Sequence, residues 1–167
     1  MQILYRDDAL VAVNKPSGLL VHRSWVDREA RDFALQRVRA LTGRRVYPVH
    51  RLDRPTSGVL LFAFSPEAAR SVQAQIEDGT LEKAYLALVR GWTETAGRID
   101  HPLKDDAKLR HGRLALRTAL TDYERLGTAE LPVAIETYPS ARFSLVQLMP
   151  RTGRTRQLPP HLPHIAH

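Results

Sequence analysis

Asp53 is the residue of this sequence whose surroundings most favour chemistry: it lies between Arg51 and Arg54, shortly before an apolar run at 59–64. Neighbouring positive charge favours the ionised form of a carboxyl group, so Asp53 is a poor general acid near neutral pH. It is better suited to act as an anionic nucleophile or as an ion-pair partner. On residue type alone a salt bridge in a loop is the commoner outcome, and a catalytic role stays open beside it.

The elements expected around Asp53 begin with two short strands at 3–5 and 9–15, followed by a turn at 14–18. A helix is predicted at 27–41, where apolar residues share one face and Gly43 ends it. The apolar run at 59–64 predicts a strand buried on both faces. A second helix is predicted from the cap Ser65 and from Pro66 as far as Gly79.

The second half of the chain predicts strands at 84–89, 116–126 and 143–149. Strands and helices do not alternate regularly, which indicates an α+β domain around a mixed sheet. The tail from Arg151 begins like a turn that enters a helix. Pro159 and Pro160 fit a first helical turn, whereas Pro163 would disrupt a continuing helix.

Composition indicates the class of protein and the kind of partner. The 167 residues are enough for one domain, and the chain has no cysteine for disulfides, thiol nucleophiles or cysteine-ligated zinc. A net charge of +7 favours nucleic acid, although a solubilising surface would also account for it. No apolar run is long enough to cross a bilayer, and an acidic pair near the N-terminus argues against a signal peptide. We therefore expect a cytoplasmic protein without a membrane partner.

Four segments carry a resemblance to a known family. His50-Arg51-Leu52-Asp53, followed after two residues by Thr56-Ser57-Gly58, resembles the signature of the RluA-type pseudouridine synthases. Three other segments resemble further motifs of that family in the same order: 10–18, Lys83-Ala84-Tyr85 with 89–91, and Thr152-Gly153-Arg154 with Gln157-Leu158. The resemblance covers essentially the whole chain, and 21–25 with Arg54-Pro55 resembles a branch that acts on tRNA.

The resemblance implies a fold and a reaction. The fold is α+β, with a mixed, mainly antiparallel sheet and flanking helices, forming one catalytic domain over 1–167. The reaction isomerises a specific uridine, of the uridine-65 type in tRNA, to pseudouridine, with Asp53 as nucleophile after the base is flipped out. Tyr85 would stack on the flipped base, and Arg51 would fill the space it leaves. No metal or organic cofactor is implied, and the protein is expected to be a monomer.

The resemblance also implies which residues meet the RNA. Besides Arg51, the expected RNA-binding residues are His50, Arg54, Lys15, Lys83, Arg154 and Arg156. A separate basic cluster either contacts phosphates or is a solvated loop; its members are Lys104, Lys108, Arg110, Arg113 and Arg117. The histidines His161, His164 and His167 lack the two-plus-two spacing of a structural zinc site.

The sequence departs from the family pattern in the segment 152–158, which resembles the family's third motif and is called the third motif below. Pro159 occupies the position of an arginine that pairs with the catalytic Asp in the family, and Arg156 occupies the position of a histidine. On a helix, Arg156 would lie one turn before position 159 and could replace that arginine. We also expect a C-terminal part of the domain to be missing. The alternatives that remain open are a synthase acting on ribosomal RNA, a catalytically dead RNA-binding remnant, and a fragment that does not fold stably.

Overall fold

The computed structural model describes residues 1–23, 31–104, 116–135 and 137–165. The chain divides into two compact units, Met1–Asp78 and Gly79–His167. The predicted single domain remains a prediction.

The first unit is built on a four-stranded antiparallel sheet. Its strands are β1 (Gln2–Arg6), β2 (Leu10–Lys15), β3 (Tyr47–Pro48) and β4 (Gly58–Ala63), in the order β1-β2-β4-β3. Alternate residues of the two central strands, Val11, Val13, Leu60 and Phe62, are fully buried and form the core. The predicted strand at 59–64 is confirmed, but Val59 is 56% exposed, so the prediction of burial on both faces was wrong at its start.

Two helices pack in this unit. The helix α1 (Ala34–Thr42) begins later than predicted, because 31–33 are not helical and Phe33 forms a β-bridge with Leu20. It ends at Gly43, whose φ of 65° is the left-handed conformation that glycine adopts without strain. The helix α2 (Pro66–Glu77) begins as predicted, since the Ser65 hydroxyl accepts the Ala68 N–H at 3.1 Å.

The second unit holds a second antiparallel sheet. Its strands are β5 (Tyr85–Arg90), β6 (Ala96–Asp100), β9 (Leu120–Leu131) and β10 (Ala141–Pro150), in the order β5-β10-β9-β6; β7 (Leu103–Lys104) and β8 (Leu116–Arg117) pair separately. One face packs a core around Val146 and Leu148, with Tyr123 and Ile165 against them. The short helix α3 (Leu158–His161) follows, then a 3-10 turn at Leu162–His164.

These elements confirm the predicted α+β class with mainly antiparallel pairing. The strand predicted at 116–126 is divided, because residues 118–119 separate β8 from β9. The tail behaves as its prolines predict: α3 ends before Pro163. Within the described residues, no helix has the length and apolar character needed to span a membrane.

Candidate active site

Asp53 lies in a tight turn that leads into β4. The preceding Leu52 is buried at 7% exposure, and the Thr56 N–H closes the turn by donating to the Asp53 carbonyl at 3.0 Å. The carboxylate is half-buried and makes no hydrogen bond or ion pair with any residue that the structure describes. The loop salt bridge with Arg51 or Arg54, the commoner outcome for such a sequence, is therefore not formed. The Asp53 carboxylate oxygens are therefore not engaged by any side chain or N–H group that the structure describes.

Lys15 holds the Asp53 turn from within the unit. Its side chain is fully buried, and Nζ donates to the carbonyls of Leu19 at 2.7 Å, Pro16 at 3.0 Å and Arg54 at 3.3 Å. Burial lowers the pKa of Lys15, and the charge of Asp53 opposes that shift. Direct contact with RNA, predicted for Lys15, requires an exposed ammonium group, and this one has no accessible surface.

Further bonds join the same two turns. The Gly18 N–H donates to the Arg54 carbonyl at 2.8 Å, and Arg54 Nε donates back to the Gly18 carbonyl at 3.1 Å. The Ser17 hydroxyl donates to the Pro55 carbonyl at 2.7 Å. The turn at 14–18 and the turn that carries Asp53 therefore form one rigid support.

The residues before Asp53 differ in exposure. His50 is half-buried, and its Nε2 accepts the Leu61 N–H at 3.1 Å, which fixes the imidazole against β4. Arg51 is exposed and makes no hydrogen bond or ion pair within the described part of the chain. Its guanidinium therefore has all of its donors available to a ligand.

Tyr85 is the first residue of β5 in the second unit, and Lys83 lies two residues before it. Tyr85 is half-buried and packs against the core of that unit. Burial lowers the pKa of the Lys83 ammonium, which makes no hydrogen bond or ion pair among the described residues. A Cβ placed on Gly153 would lie 3.7 Å from Lys83 Nζ. Lys83 is thus close to the turn of the third motif, and its positive charge is not neutralised there.

A chain of hydrogen bonds fixes that turn to β9. The Thr152 hydroxyl donates to Gln157 Oε1 at 2.8 Å, and Gln157 Nε2 donates to Thr121 Oγ1 at 2.9 Å. Thr121 Oγ1 lies 2.9 Å from His161 Nδ1, and His161 Nε2 lies 3.0 Å from the His101 carbonyl. Because a carbonyl only accepts, His161 donates from Nε2 and accepts at Nδ1. Gln157 and His161 are buried, so this network positions the turn.

The two arginines of this turn are placed differently. Arg154 is half-buried, and its Nε donates to the Thr118 carbonyl at 2.9 Å. Arg156 is exposed in a turn with φ of 52°, a conformation that costs a non-glycine residue about 1 kcal/mol. Arg156 precedes α3, which begins at Leu158, so the helical relation to position 159 that would let it replace the family arginine does not hold. Pro159 is exposed in the first turn of α3.

The structure describes only part of the predicted basic cluster and of the C-terminal histidines. Lys104 and Arg117 lie on the paired strands β7 and β8, whereas Lys108, Arg110 and Arg113 lie outside the described residues, as does His167. His161 serves the network above, and among described residues no group of three or more His, Asp or Glu side chains is arranged to hold a metal. Sequence reasoning missed Thr121 and His161 as positioning groups, since neither belongs to a motif that was recognised.

Comparison with known proteins defines the class. Residues 9–164 match the family described as RNA pseudouridylate synthase, and the chain belongs to that family, whose members are isomerases. The predicted family is confirmed. The fold agrees: the chain superposes on human RNA pseudouridylate synthase domain containing 4 with a TM-score of 0.70 and 27% identity, covering 97% of this chain and 63% of that one. Superposition on human RNA pseudouridylate synthase domain containing 1 gives a TM-score of 0.73 and 26% sequence identity, covering 95% of this chain and 62% of that one.

Bacterial relatives named tRNA pseudouridine synthase C are more similar to this chain in sequence than the two human proteins are. The chain is 49% identical to the tRNA pseudouridine synthase C of Pasteurella multocida over its whole length, which is 71% of that relative. It is also 49% identical to the tRNA pseudouridine synthase C of Pectobacterium carotovorum, of which it spans 46%. The chain therefore spans between about half and about seven tenths of the length of these relatives.

Proposed function

We propose that this chain carries the catalytic machinery of a tRNA pseudouridine synthase acting in the cytoplasm, and that its target is a uridine of the uridine-65 type. The observation that best supports the proposal is the state of Asp53. Its carboxylate is half-buried, makes no hydrogen bond or ion pair among described residues, and lies in a turn supported by Lys15. A carboxylate in that state is suited to nucleophilic attack, because no hydrogen bond to a neighbour lowers its reactivity.

The proposed reaction is an isomerisation with a closed atom balance. The glycosidic bond from C1′ of the ribose to N1 of uracil breaks, and a bond from C1′ to C5 forms. The proton on C5 leaves and N1 gains one, so no oxidant, metal or organic cofactor is required. Asp53 acts as the nucleophile towards the nucleoside, and Tyr85 packs on the flipped base and assists the loss of the C5 proton. Flipping the uridine out of its stack costs a few kcal/mol.

The proposed RNA contacts follow the exposure of the cationic side chains. Arg51, exposed and without described partners, fills the space left by the flipped base. Lys83, Arg154 and Arg156 meet phosphates near the third-motif turn, and Arg54 meets the RNA beside the Asp53 turn. His50 lines the RNA path while anchored to β4. Lys15 acts indirectly, through the turn that carries Asp53.

Tritium release tests the proposal directly. Unmodified tRNA carrying 5-tritiated uridine is incubated with the wild-type chain, and label released to water is counted. We expect release in the wild type and none with Asp53→Ala, and the modified position is then mapped on the tRNA. Asp8→Ala is the matched control, since Asp8 is an exposed aspartate outside the site. Release that persists in Asp53→Ala would refute the assigned nucleophile.

A second candidate is an RNA-binding protein without catalytic activity. Pro159 favours it, because a proline cannot supply the cation that the family pattern pairs with the catalytic Asp. The same assay separates the two: binding of tRNA without release, in both the wild type and Asp53→Ala, identifies this second function. Release from a ribosomal RNA transcript but not from tRNA would instead identify a synthase of the same family with another substrate.

A further inference from the structure

Three arginines lie on aromatic rings at the end of the first sheet that is remote from Asp53. The guanidinium carbons of Arg44 and Arg6 lie 4.0 Å and 5.4 Å from the centre of the Phe64 ring. The guanidinium carbon of Arg45 lies 5.2 Å from the centre of the Tyr47 ring. We call these five residues the arginine–aromatic patch. Because both distances are measured to the same ring centre, the guanidinium carbons of Arg6 and Arg44 lie less than ten ångströms from each other.

The position of the patch follows from the pairing of β2 with β4. Lys15 pairs with Gly58 at the end of this ladder nearest the Asp53 turn, and Leu10 pairs with Ala63 at the other end. Tyr47 also pairs with Ala63, and Phe64 follows directly. Five residue steps of strand separate the two ends, or about 17 Å. The patch is thus a different surface of the unit from the Asp53 turn.

These arginines differ from several others in the chain in having no acidic partner. Elsewhere arginines pair with acids, as Arg37 does with Asp32 and Arg70 with Glu67. Within the described residues, Arg6, Arg44 and Arg45 form no ion pair and no side-chain hydrogen bond, and all three are exposed. Their positive charge is therefore not neutralised by the fold.

The nearest acids in sequence do not change this. Asp7 accepts the Tyr5 hydroxyl at 2.8 Å and the N–H groups of Ala9 and Leu10 at 2.8 and 2.6 Å, so its carboxylate is engaged in the turn. Asp8 is exposed and forms no ion pair with these arginines. An aromatic ring beneath a guanidinium orders the side chain and leaves its N–H donors at the edge. Two guanidinium groups that are held in place in this way, with their N–H donors exposed, can each bind a pair of oxygens on neighbouring phosphates.

We infer that the arginine–aromatic patch is a second RNA-binding surface, which takes backbone phosphates of the substrate away from the reacting uridine. The inference rests on the proposed function only in taking RNA as the ligand. RNA is favoured over an acidic protein because the whole chain carries a net charge of +7 and belongs to a family of RNA-modifying proteins. The patch contributes affinity and register, and the chemistry stays at Asp53.

The test measures RNA affinity against salt. A fluorescent, unmodified tRNA transcript is titrated with the wild type and with Arg6→Gln/Arg44→Gln, and the dissociation constant is followed from low to moderate salt. We expect the slope of log affinity against log salt to fall by about two, one for each phosphate that the variant no longer neutralises. KM for tritium release should rise several-fold while kcat at saturating RNA is unchanged.

The matched control is Arg37→Gln/Arg70→Gln, which removes the same charge from exposed arginines of the same unit that are already paired. An equal change in both double variants would overturn the inference, because it would mean that only net charge matters. An unchanged slope in Arg6→Gln/Arg44→Gln would overturn the inference as well. The inference would also be overturned if this variant lost binding to polyglutamate, an acidic peptide, while its binding to tRNA stayed intact.

A charge-retaining variant, Arg6→Lys/Arg44→Lys, should keep the wild-type slope, which shows that substitution at these positions does not itself disrupt the fold. Binding is measured without turnover, so an inactive chain would refute the proposed function and leave this test standing.

Discussion

The two charged groups of the Asp53 turn are stabilised in opposite ways. Lys15 is fully buried, and its ammonium donates to three backbone carbonyls. Asp53 is half-buried and has no hydrogen-bond or ion-pair partner among described residues. A buried ammonium with its donors satisfied is structural, whereas a carboxylate left available is a feature of functional sites. At this scale Lys15 fixes the position of the turn, and the Asp53 carboxylate is left without a hydrogen bond to the described residues.

Replacing Lys15 tests this division of roles. We expect Lys15→Met to lower the free energy of unfolding by about 1–3 kcal/mol, because it removes the ammonium donor from the buried Leu19 carbonyl and the bonds to the carbonyls of Pro16 and Arg54. Lys83→Met is the control: Lys83 is also desolvated, but it makes no hydrogen bond within the described chain. Urea unfolding followed by circular dichroism measures both. Equal losses of stability in the two variants would show that the hydrogen bonds from Lys15 to these carbonyls contribute nothing.

At the scale of elements, the third-motif turn depends on one strand and one short helix. Gln157 directly precedes α3 and His161 is its last residue, and both reach Thr121 on β9. Burial lowers the pKa of His161, and the charges of His101 and His164 act in the same direction, while the hydrogen bond to the His101 carbonyl and the charge of Asp100 oppose it. The ring centres of His101 and His164 lie 4.1 Å apart. The neutral form of His161 is therefore the form that the fold retains.

This arrangement predicts a pH-dependent stability. Below the ordinary histidine pKa of 6.5 the unfolded chain binds a proton at His161 that the folded chain does not bind. The free energy of unfolding should then fall as pH falls, by up to about 1.4 kcal/mol per pH unit, until the depressed pKa of the folded state is reached. Urea unfolding between neutral pH and about pH 5 measures the slope. His161→Asn should lose that part of the slope, and His164→Gln should keep most of it; the same slope in wild type and His161→Asn would contradict the assignment.

The elements also show which features of the fold a sequence can predict. The start of α2 was predictable because Ser65 and Pro66 are adjacent to the helix they begin. The start of α1 was not, because Phe33 is held by a bridge to Leu20 rather than by local propensity. The burial of Lys15 depends on a carbonyl 39 residues away, and the bond from Thr121 to His161 spans 40 residues. Local motifs identified Asp53 and Tyr85 as candidates, whereas their supporting contacts come from tertiary structure.

At the scale of the whole molecule, the positive charge is unevenly neutralised. Some arginines are tied to acids: Arg98 and Arg151 both donate to Asp122 and, with Arg98 the larger influence, hold the pKa of that carboxyl at about 2. Others, including Arg51 and Arg44, have no acid partner among described residues. A net charge of +7 is thus partly organised into surfaces that can bind phosphate. RNA affinity of the chain should accordingly depend on salt through those surfaces.

At the same scale, the cation that the family pattern pairs with the catalytic Asp is missing from this sequence, because Pro159 occupies its position. The family pattern supplies an arginine at the position of Pro159, so we expect Pro159→Arg to raise the rate of tritium release from tRNA. The substitution is compatible with α3, because Pro159 is exposed in the first helical turn, where a backbone N–H has no intrahelical acceptor. Any change in unfolding free energy should therefore be small. The rate is measured at saturating tRNA, so that improved binding does not count as improved chemistry.

Pro160→Arg is the matched control for this gain of function. Pro160 is exposed one residue further along the same helical turn, and the substitution adds the same charge to the same surface. Because successive helical residues point about 100° apart, an arginine at 160 does not reproduce the direction of one at 159. A rise in release with Pro159→Arg alone supports a directed ion pair with Asp53. An equal rise with both would assign the gain to general RNA attraction, and no rise with either would show that a missing cation at 159 does not limit this chain.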